Sequence, residues 1–199
     1  MSHHPFRNAS YLISAHTLRQ LPEDVGAEAA FAGRSNAGKS SALNTICDQN
    51  ALARTSKTPG RTQQLVVFPL DDNHRLIDLP GYGYAKVPQD LREYWRGLID
   101  GYLRGRESLK GIVLIMDVRH PLREFDQEML TYAAASGREV HCLLSKSDKL
   151  SRNEGSATLL AVRKHIASVV PQATAQLFSS LKKTGVDEAR AIIGGWLGY

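Results

Sequence analysis

Cysteine is scarce in this chain: Cys47 and Cys142 are the only two in 199 residues, each inside an apolar stretch with no metal-type neighbour. A disulfide framework and a zinc module are thereby excluded, and both thiols read as reduced core residues. Long hydrophobic runs are missing too. The longest, GIVLIM at 111–116, is far too short to span a bilayer. The opening residues MSHHPFRNAS hold no apolar stretch of the secretory type, so a cytoplasmic location without membrane attachment is expected. His3 and His4 form a lone pair, too little for a tag or a metal site. Internal repeats, low-complexity tracts and linkers are absent, which leaves no place for a second domain.

What is there fits one domain with a substantial core, since 42% of the residues are hydrophobic. The formal charge is +5. That balance suits a nucleic-acid or ribonucleoprotein partner, and equally a plain soluble protein with a basic surface.

Short apolar runs alternate with amphipathic segments almost to the end. AEAAFAG (27–33), QLVVFPL (64–70), HRLIDLP (74–80), LKGIVLIMDV (109–118), REVHCLLSKSD (138–148) and ATAQLFSS (173–180) read as six strands. The second and third flank Asp71-Asp72-Asn73, a hairpin-type turn, so they are expected to pair antiparallel. Leu91, Tyr94, Trp95, Leu98, Ile99, Tyr102 and Leu103 form one helical stripe. Phe125, Met129 and Tyr132 repeat it, as do Leu159, Val162, Ile166 and Val169. A last helix is expected to open on the capping-box spacing Thr184-x-x-Asp187 and to carry Val186, Ala189, Ile193 and Trp196. Such alternation gives an α/β fold: a mostly parallel sheet with one antiparallel strand, helices on both faces, and ligand loops at the strands' C-terminal ends. Residues 1–22 precede this unit as an N-terminal extension, in which Tyr11-Leu12-Ile13 can add a short packing segment.

Directly after the first strand stands Gly33-Arg34-Ser35-Asn36-Ala37-Gly38-Lys39-Ser40, a complete match to the P-loop pattern between a strand and a helix. The glycines let backbone N–H groups turn inward on a phosphate, and the helix beginning near Lys39 adds its positive end. Lys39 is suited to β- and γ-phosphates and the Ser40 hydroxyl to Mg²⁺. A glycine-rich turn that merely caps a helix is the plainer alternative. The expected anion is therefore a nucleotide's phosphate chain.

Asp78-Leu79-Pro80-Gly81 ends the third strand, with a carboxylate for the magnesium shell and a glycine N–H for a γ-phosphate. Ser145-Lys146-Ser147-Asp148 ends the fifth. A carboxylate there accepts from both N1–H and the exocyclic amine of guanine, a pair that adenine does not offer. Each tetrapeptide is weak evidence alone, but their order after the P-loop points to guanine. An ATP-dependent P-loop kinase or ATPase is the reading that Asp148 opposes.

GRSNAGKSSALN, TPGRTQ, DLPGYGYAKV, DVRHPL, SKSD and FSS followed by KKTG together resemble the EngB (YihA/YsxC) family of bacterial GTPases, within the TrmE-Era-EngA-EngB-Septin-like class. The resemblance runs from about residue 22 to the end, and implies a Ras-like P-loop G domain over 23–199. It also implies GTP/GDP and Mg²⁺ as ligands, a role in assembly of the large ribosomal subunit or on its rRNA, and a part in normal cell division and septation. A monomer is expected. Residue by residue, it makes Gly33 to Ser40, with Ser41 beyond, the phosphate loop. Gly60, Arg61, Thr62, Gln63 and Gln64 become the first switch, with Thr62 as the second magnesium ligand beside Ser40. Asp78, Leu79, Pro80 and Gly81 open the second switch, Asp78 standing behind the direct magnesium ligands. Ser145, Lys146, Ser147 and Asp148 read the base, while Phe178, Ser179 and Ser180 support it through backbone contacts. Ser145 departs from the threonine or asparagine usual in the family.

For hydrolysis, Lys39, Thr62 and Gly81 are the residues expected to act on the phosphates. Many GTPases carry glutamine after the D-x-x-G glycine to orient water; Tyr82 stands there in this chain. Intrinsic turnover is therefore expected to be slow, roughly 10⁻⁴ to 10⁻² s⁻¹. A module gated by nucleotide with negligible turnover is the competing expectation. Asn36 offers a remedy, because in related GTPases an asparagine at this loop position coordinates K⁺ beside the phosphates. Arg54, Lys57 and Arg61 flank the first switch as a solvated or RNA-facing basic segment, an in-line catalytic arginine among them being the alternative. Asp117 with Arg119 reads as an internal ion pair or hydrogen-bond anchor, not a second active site.

Overall fold

The computed structural model describes residues 4–54, 64–81 and 88–199. Its strands are β1 (Ile13–Ala15), β2 (Ala27–Gly33), β3 (Leu65–Pro69), β4 (His74–Asp78), β5 (Leu109–Asp117), β6 (Glu139–Ser145) and β7 (Thr174–Leu177). They form one sheet of order β1-β3-β4-β2-β5-β6-β7. The helices are α1 (Lys39–Ile46), α2 (Gln89–Gly105), α3 (Glu124–Ser136), α4 (Arg152–Val169) and α5 (Val186–Leu197).

β2 lies at the centre, buried along its whole length between β4 and β5, both parallel to it. β6 and β7 continue the parallel run. β3 alone runs the other way, antiparallel to both β1 and β4, and the turn after it is tied by Asp71 Oδ1 accepting from the N–H groups of Asn73 and His74 at 2.9 Å each. Among the described residues the sheet thus has seven strands where the sequence suggests six. The extra one, β1, comes from the segment around Ile13, whose three residues pair with Leu65–Val67 at the sheet's outer edge. Its neighbours Tyr11 and Leu12 stay exposed, so no alternating or continuous apolar pattern marks it.

Two apolar layers cover the faces. Trp95 and Tyr102 of α2, Phe125 and Met129 of α3, and Val162 and Ile166 of α4 fill one; Leu43 and Ile46 of α1 with Val186, Ala189, Ile193 and Leu197 of α5 fill the other. Tyr94 is the exception in its stripe: it is 45% exposed, with its hydroxyl donating to the His16 carbonyl. Cys47 and Cys142 are both buried, and burial pushes each thiol up to about 12. The expected capping box on α5 does not form. Gly185 takes the N-cap at φ +73°, and the Thr184 carbonyl is committed to the Ser179 N–H at 3.1 Å. A Cβ at 185 would fall 2.3 Å from Gln176 Nε2, so only glycine closes this turn.

Candidate functional site

The loop after β2 is built by close backbone approach. A Cβ at Gly33 would lie 3.0 Å from the Ile115 carbonyl oxygen on β5, and one at Gly81 would lie 3.0 Å from the Gly33 oxygen and 3.6 Å from the Ser35 nitrogen. The Asp78–Gly81 segment therefore runs directly against the phosphate loop. Within that loop the Ala37 N–H donates to the Arg34 carbonyl at 3.1 Å, Asn36 sits at φ +65°, and Gly38 at φ +96° turns the chain into α1. The first N–H groups of α1 have no intrahelical acceptor and face the loop, an anion seat by construction.

Lys39, first residue of α1, donates from Nζ to Asp78 Oδ1 at the end of β4. Asp78 is 8% exposed, and its neighbour Leu79 anchors the segment from behind, its N–H donating to the Phe31 carbonyl at 2.9 Å and its side chain in the core. Pro80 is buried beside it. The Ser40 hydroxyl donates to the Arg54 carbonyl at 3.3 Å. Among the described residues no three His, Cys, Asp or Glu side chains gather. The Ser40 hydroxyl and the Asp78 carboxylate are hard oxygen donors of the kind Mg²⁺ takes, sparingly, beside substrate phosphates.

The second half of the site hangs on the C-terminal ends of β5 and β6. Ser145 is buried, its hydroxyl donating to the carbonyls of Ala37, in the phosphate loop, and of Met116 at 3.1 Å. Lys146, at φ +58°, donates from Nζ to the Asn36 carbonyl at 2.6 Å. Ser147 N–H donates to the Phe178 carbonyl at 3.0 Å, and Phe178 N–H to the Leu144 carbonyl at 2.9 Å. Asp148 follows, its Oδ1 accepting from the Ser179 hydroxyl at 2.6 Å. That hydrogen bond, more than any other influence, holds the Asp148 carboxyl below its ordinary range. Ser179 is itself fully buried, and its Oγ accepts from the Lys182 N–H at 3.1 Å. Support of Asp148 therefore runs through a side chain as well as through the backbone contacts expected of Phe178 to Ser180; Ser180 itself is half-buried at the same turn.

The phosphate loop, Asp78–Gly81, Ser145–Asp148 and Phe178–Ser180 are thus brought together at one end of the sheet. Arg34 and Ser35 are half-buried in the loop, and Asn36 and Ser41 are exposed on it. Gln64 precedes β3, whose start lies beside Asp78 at the end of β4, and its Nε2 meets His16 Nε2 at 2.5 Å. Gly60, Arg61, Thr62 and Gln63 of the first switch, together with Lys57 and Tyr82, lie outside the described residues. Asp117 and Arg119 form the expected ion pair, with Nη2 to Oδ2 at 2.8 Å.

A family model described as 50S ribosome-binding GTPase matches residues 28–146. A probable GTP-binding protein EngB of Stenotrophomonas maltophilia (strain K279a) is 59% identical over 191 residues, 96% of either chain. One of the same name from Xanthomonas oryzae pv. oryzae (strain PXO99A) is 58% identical over 96% of this chain and 92% of its own. The crystal structure of a probable GTP-binding protein engB superposes with a TM-score of 0.69 at 19% identity, covering 86% of this chain and 99% of that one. At that identity the likeness speaks for the fold, a P-loop GTPase fold.

Proposed function

The chain belongs to the EngB family of GTP-binding proteins, a GTPase family, and from that premise we propose that it is a Mg²⁺-dependent GTP switch acting in assembly of the large ribosomal subunit. One observation carries the reading. The phosphate loop and the guanine-type turn are hydrogen-bonded into a single cradle, by Ser145 to Ala37 and by Lys146 to Asn36, so one ligand with a phosphate chain and a base spans both.

In this reading the first N–H groups of α1, with Lys39, grip the phosphates, and Asp148, oriented by Ser179, accepts from guanine. Mg²⁺, when bound through Ser40 and Thr62 with Asp78 behind them, supplies charge neutralisation on the β- and γ-phosphates. The Gly81 N–H meets the γ-phosphate, and that contact is what GTP has and GDP lacks. Asn36, exposed on the loop, is the K⁺ ligand that offsets the missing glutamine at Tyr82. A cytoplasmic monomer acting on ribosomal RNA or protein, with a part in cell division and septation, completes the proposal. The G domain spans 23–199, and residues 1–22 extend it by the edge strand β1, which joins its sheet. Tyr82 also favours a second reading, a nucleotide-gated binding module with negligible turnover.

Calorimetry with Mg²⁺ and GDP, GTP or ATP tests the premise: heats of association are expected for both guanine nucleotides and not for ATP. Turnover of GTP is expected to be slow in Na⁺ and faster in K⁺. Equal rates in the two salts remove the role given to Asn36, and turnover no faster than spontaneous hydrolysis favours the binding module.

A further inference from the structure

We propose that Asp117 is a positioning residue for guanine-nucleotide binding, fixing the Lys146 ammonium between the base-reading turn and the phosphate loop. The inference rests on the GTP-binding reading above and adds to it a residue outside the phosphate and base motifs.

Asp117 closes β5, opposite Ser145 in register. Its carboxylate is fully employed. Oδ1 accepts from the backbone N–H and the Nε–H of Arg119, both at 3.0 Å, and Oδ2 from Arg119 Nη2 at 2.8 Å. The same Oδ2 lies 3.1 Å from Lys146 Nζ. Burial alone would raise this acid, yet the hydrogen bonds of Arg119 and Lys146 hold it well below the usual carboxylate range. Arg119, 42% exposed at its side chain, thus serves as the outer anchor of a carboxylate whose inner edge addresses Lys146.

Lys146 consequently has two of its three ammonium hydrogens spoken for, one by Asp117 and one by the Asn36 carbonyl. Lys146 itself stands at φ +58°, and Asn36, whose carbonyl it holds, at φ +65°, without the freedom of glycine. A lysine side chain is among the most costly to immobilise. With its ammonium held by Asp117 and by the Asn36 carbonyl before the ligand arrives, the side chain is already ordered, and that ordering is not charged to binding. Asp117 touches no part of the ligand in this account. It acts through Lys146 alone.

The test is a thermodynamic cycle of Asp117→Asn, Lys146→Met and the double variant, read by fluorescent-GDP titration, stopped-flow dissociation and GTP turnover. Asp117→Asn is expected to weaken GDP and GTP about tenfold, through faster dissociation, with kcat at saturation within about twofold of wild type. The GDP-over-IDP preference is expected to stay unchanged, because the ammonium does not read the exocyclic amine; a collapsed base turn would lower it. In the Lys146→Met background the same substitution is expected to change affinity less than about twofold. Wild-type affinity in Asp117→Asn, or an undiminished loss in the Lys146→Met background, overturns the proposal. Should Asp117→Asn not fold, Arg119→Ala at the exposed anchor takes its place in the cycle. It is expected to weaken GDP several-fold only where Lys146 is present, and an effect of the same size without Lys146 overturns the proposal as well. A wild-type protein that binds neither GDP nor GTP is a different failure, that of the proposed function itself.

Discussion

Asp126 stands at the third position of α3 with its two carboxylate oxygens in unequal states. Oδ2 accepts from the Arg123 N–H at 2.9 Å, while Oδ1 is buried and meets no hydrogen-bond partner among the described residues. Burial raises its acid from 3.8 to about 6, against the opposing pull of the Arg123 N–H and the charges of Arg34 and Arg123. A folded-state value above the unfolded one means that the folded chain binds this proton more tightly. The contribution favours folding at acid pH and is lost as pH rises from about 4 to about 6. Asp71 and Asp117, both held low, work the opposite way and lose their contribution as pH falls below about 4. Asp126→Asn keeps an acceptor for Arg123 and removes the titration. Denaturant unfolding is expected to show the variant gaining on wild type by on the order of 3 kcal/mol between pH 4 and pH 7; a difference flat across that range removes this account. At this scale the sequence speaks through chemistry that a residue carries by itself, which is why Lys39, Ser40 and Asp148 were legible. The Ser179 hydroxyl on Asp148 and the grip of Asp117 on Lys146 were not, because each depends on which strand ends lie side by side.

Strands flanked by others on both sides announce themselves as short apolar runs, and β2, β5 and β6 are buried nearly throughout. An edge strand of three residues such as β1 borrows its conformation from β3 and leaves no such mark. The start of α5 misled for a related reason: the Thr184 spacing is local, but Gly185 is dictated by the Gln176 side chain and the Leu177 carbonyl across the turn. Gly111 shows the same dependence on a distant partner. A Cβ there would come within 2.5 Å of the Trp196 ring, so α5 rests flat on β5 at this point, with Trp196 Nε1 donating to Glu139 Oε2 at 2.7 Å. Gly111→Ala is expected to cost about 1–3 kcal/mol in thermal or denaturant unfolding and to alter the near-ultraviolet dichroism of the tryptophans. GDP affinity is expected to hold, since Gly111 pairs with Glu139 at the end of β5 remote from Asp117 and Ser145. An unchanged stability would mean that α5 does not pack as described.

Taken whole, the molecule gathers its candidate site at one end of the sheet and a buried charge cluster at the other. Away from the ligand loops, Glu28 at the start of β2 is fully buried, its Oε1 accepting from Arg75 at 2.9 Å and Arg106 at 2.7 Å and its Oε2 from the Tyr102 hydroxyl at 2.9 Å. A partner that senses nucleotide is expected to meet the opposite end, where Gly81 abuts the loop at Gly33. Two consequences follow for the proposed ribosomal partner. Association is expected to be at least about fivefold tighter with a GTP analogue than with GDP, the lower bound of ordinary two-site coupling. It is also expected to weaken with salt in proportion to the number of Lys and Arg side chains, out of 25 in the chain, that reach phosphate. Co-sedimentation with large subunits across a salt series, under analogue, GDP and no nucleotide, reads both. A steep salt slope with equal binding under all three would point to indiscriminate attraction between a basic protein and RNA, and the nucleotide would then be a passenger in the contact.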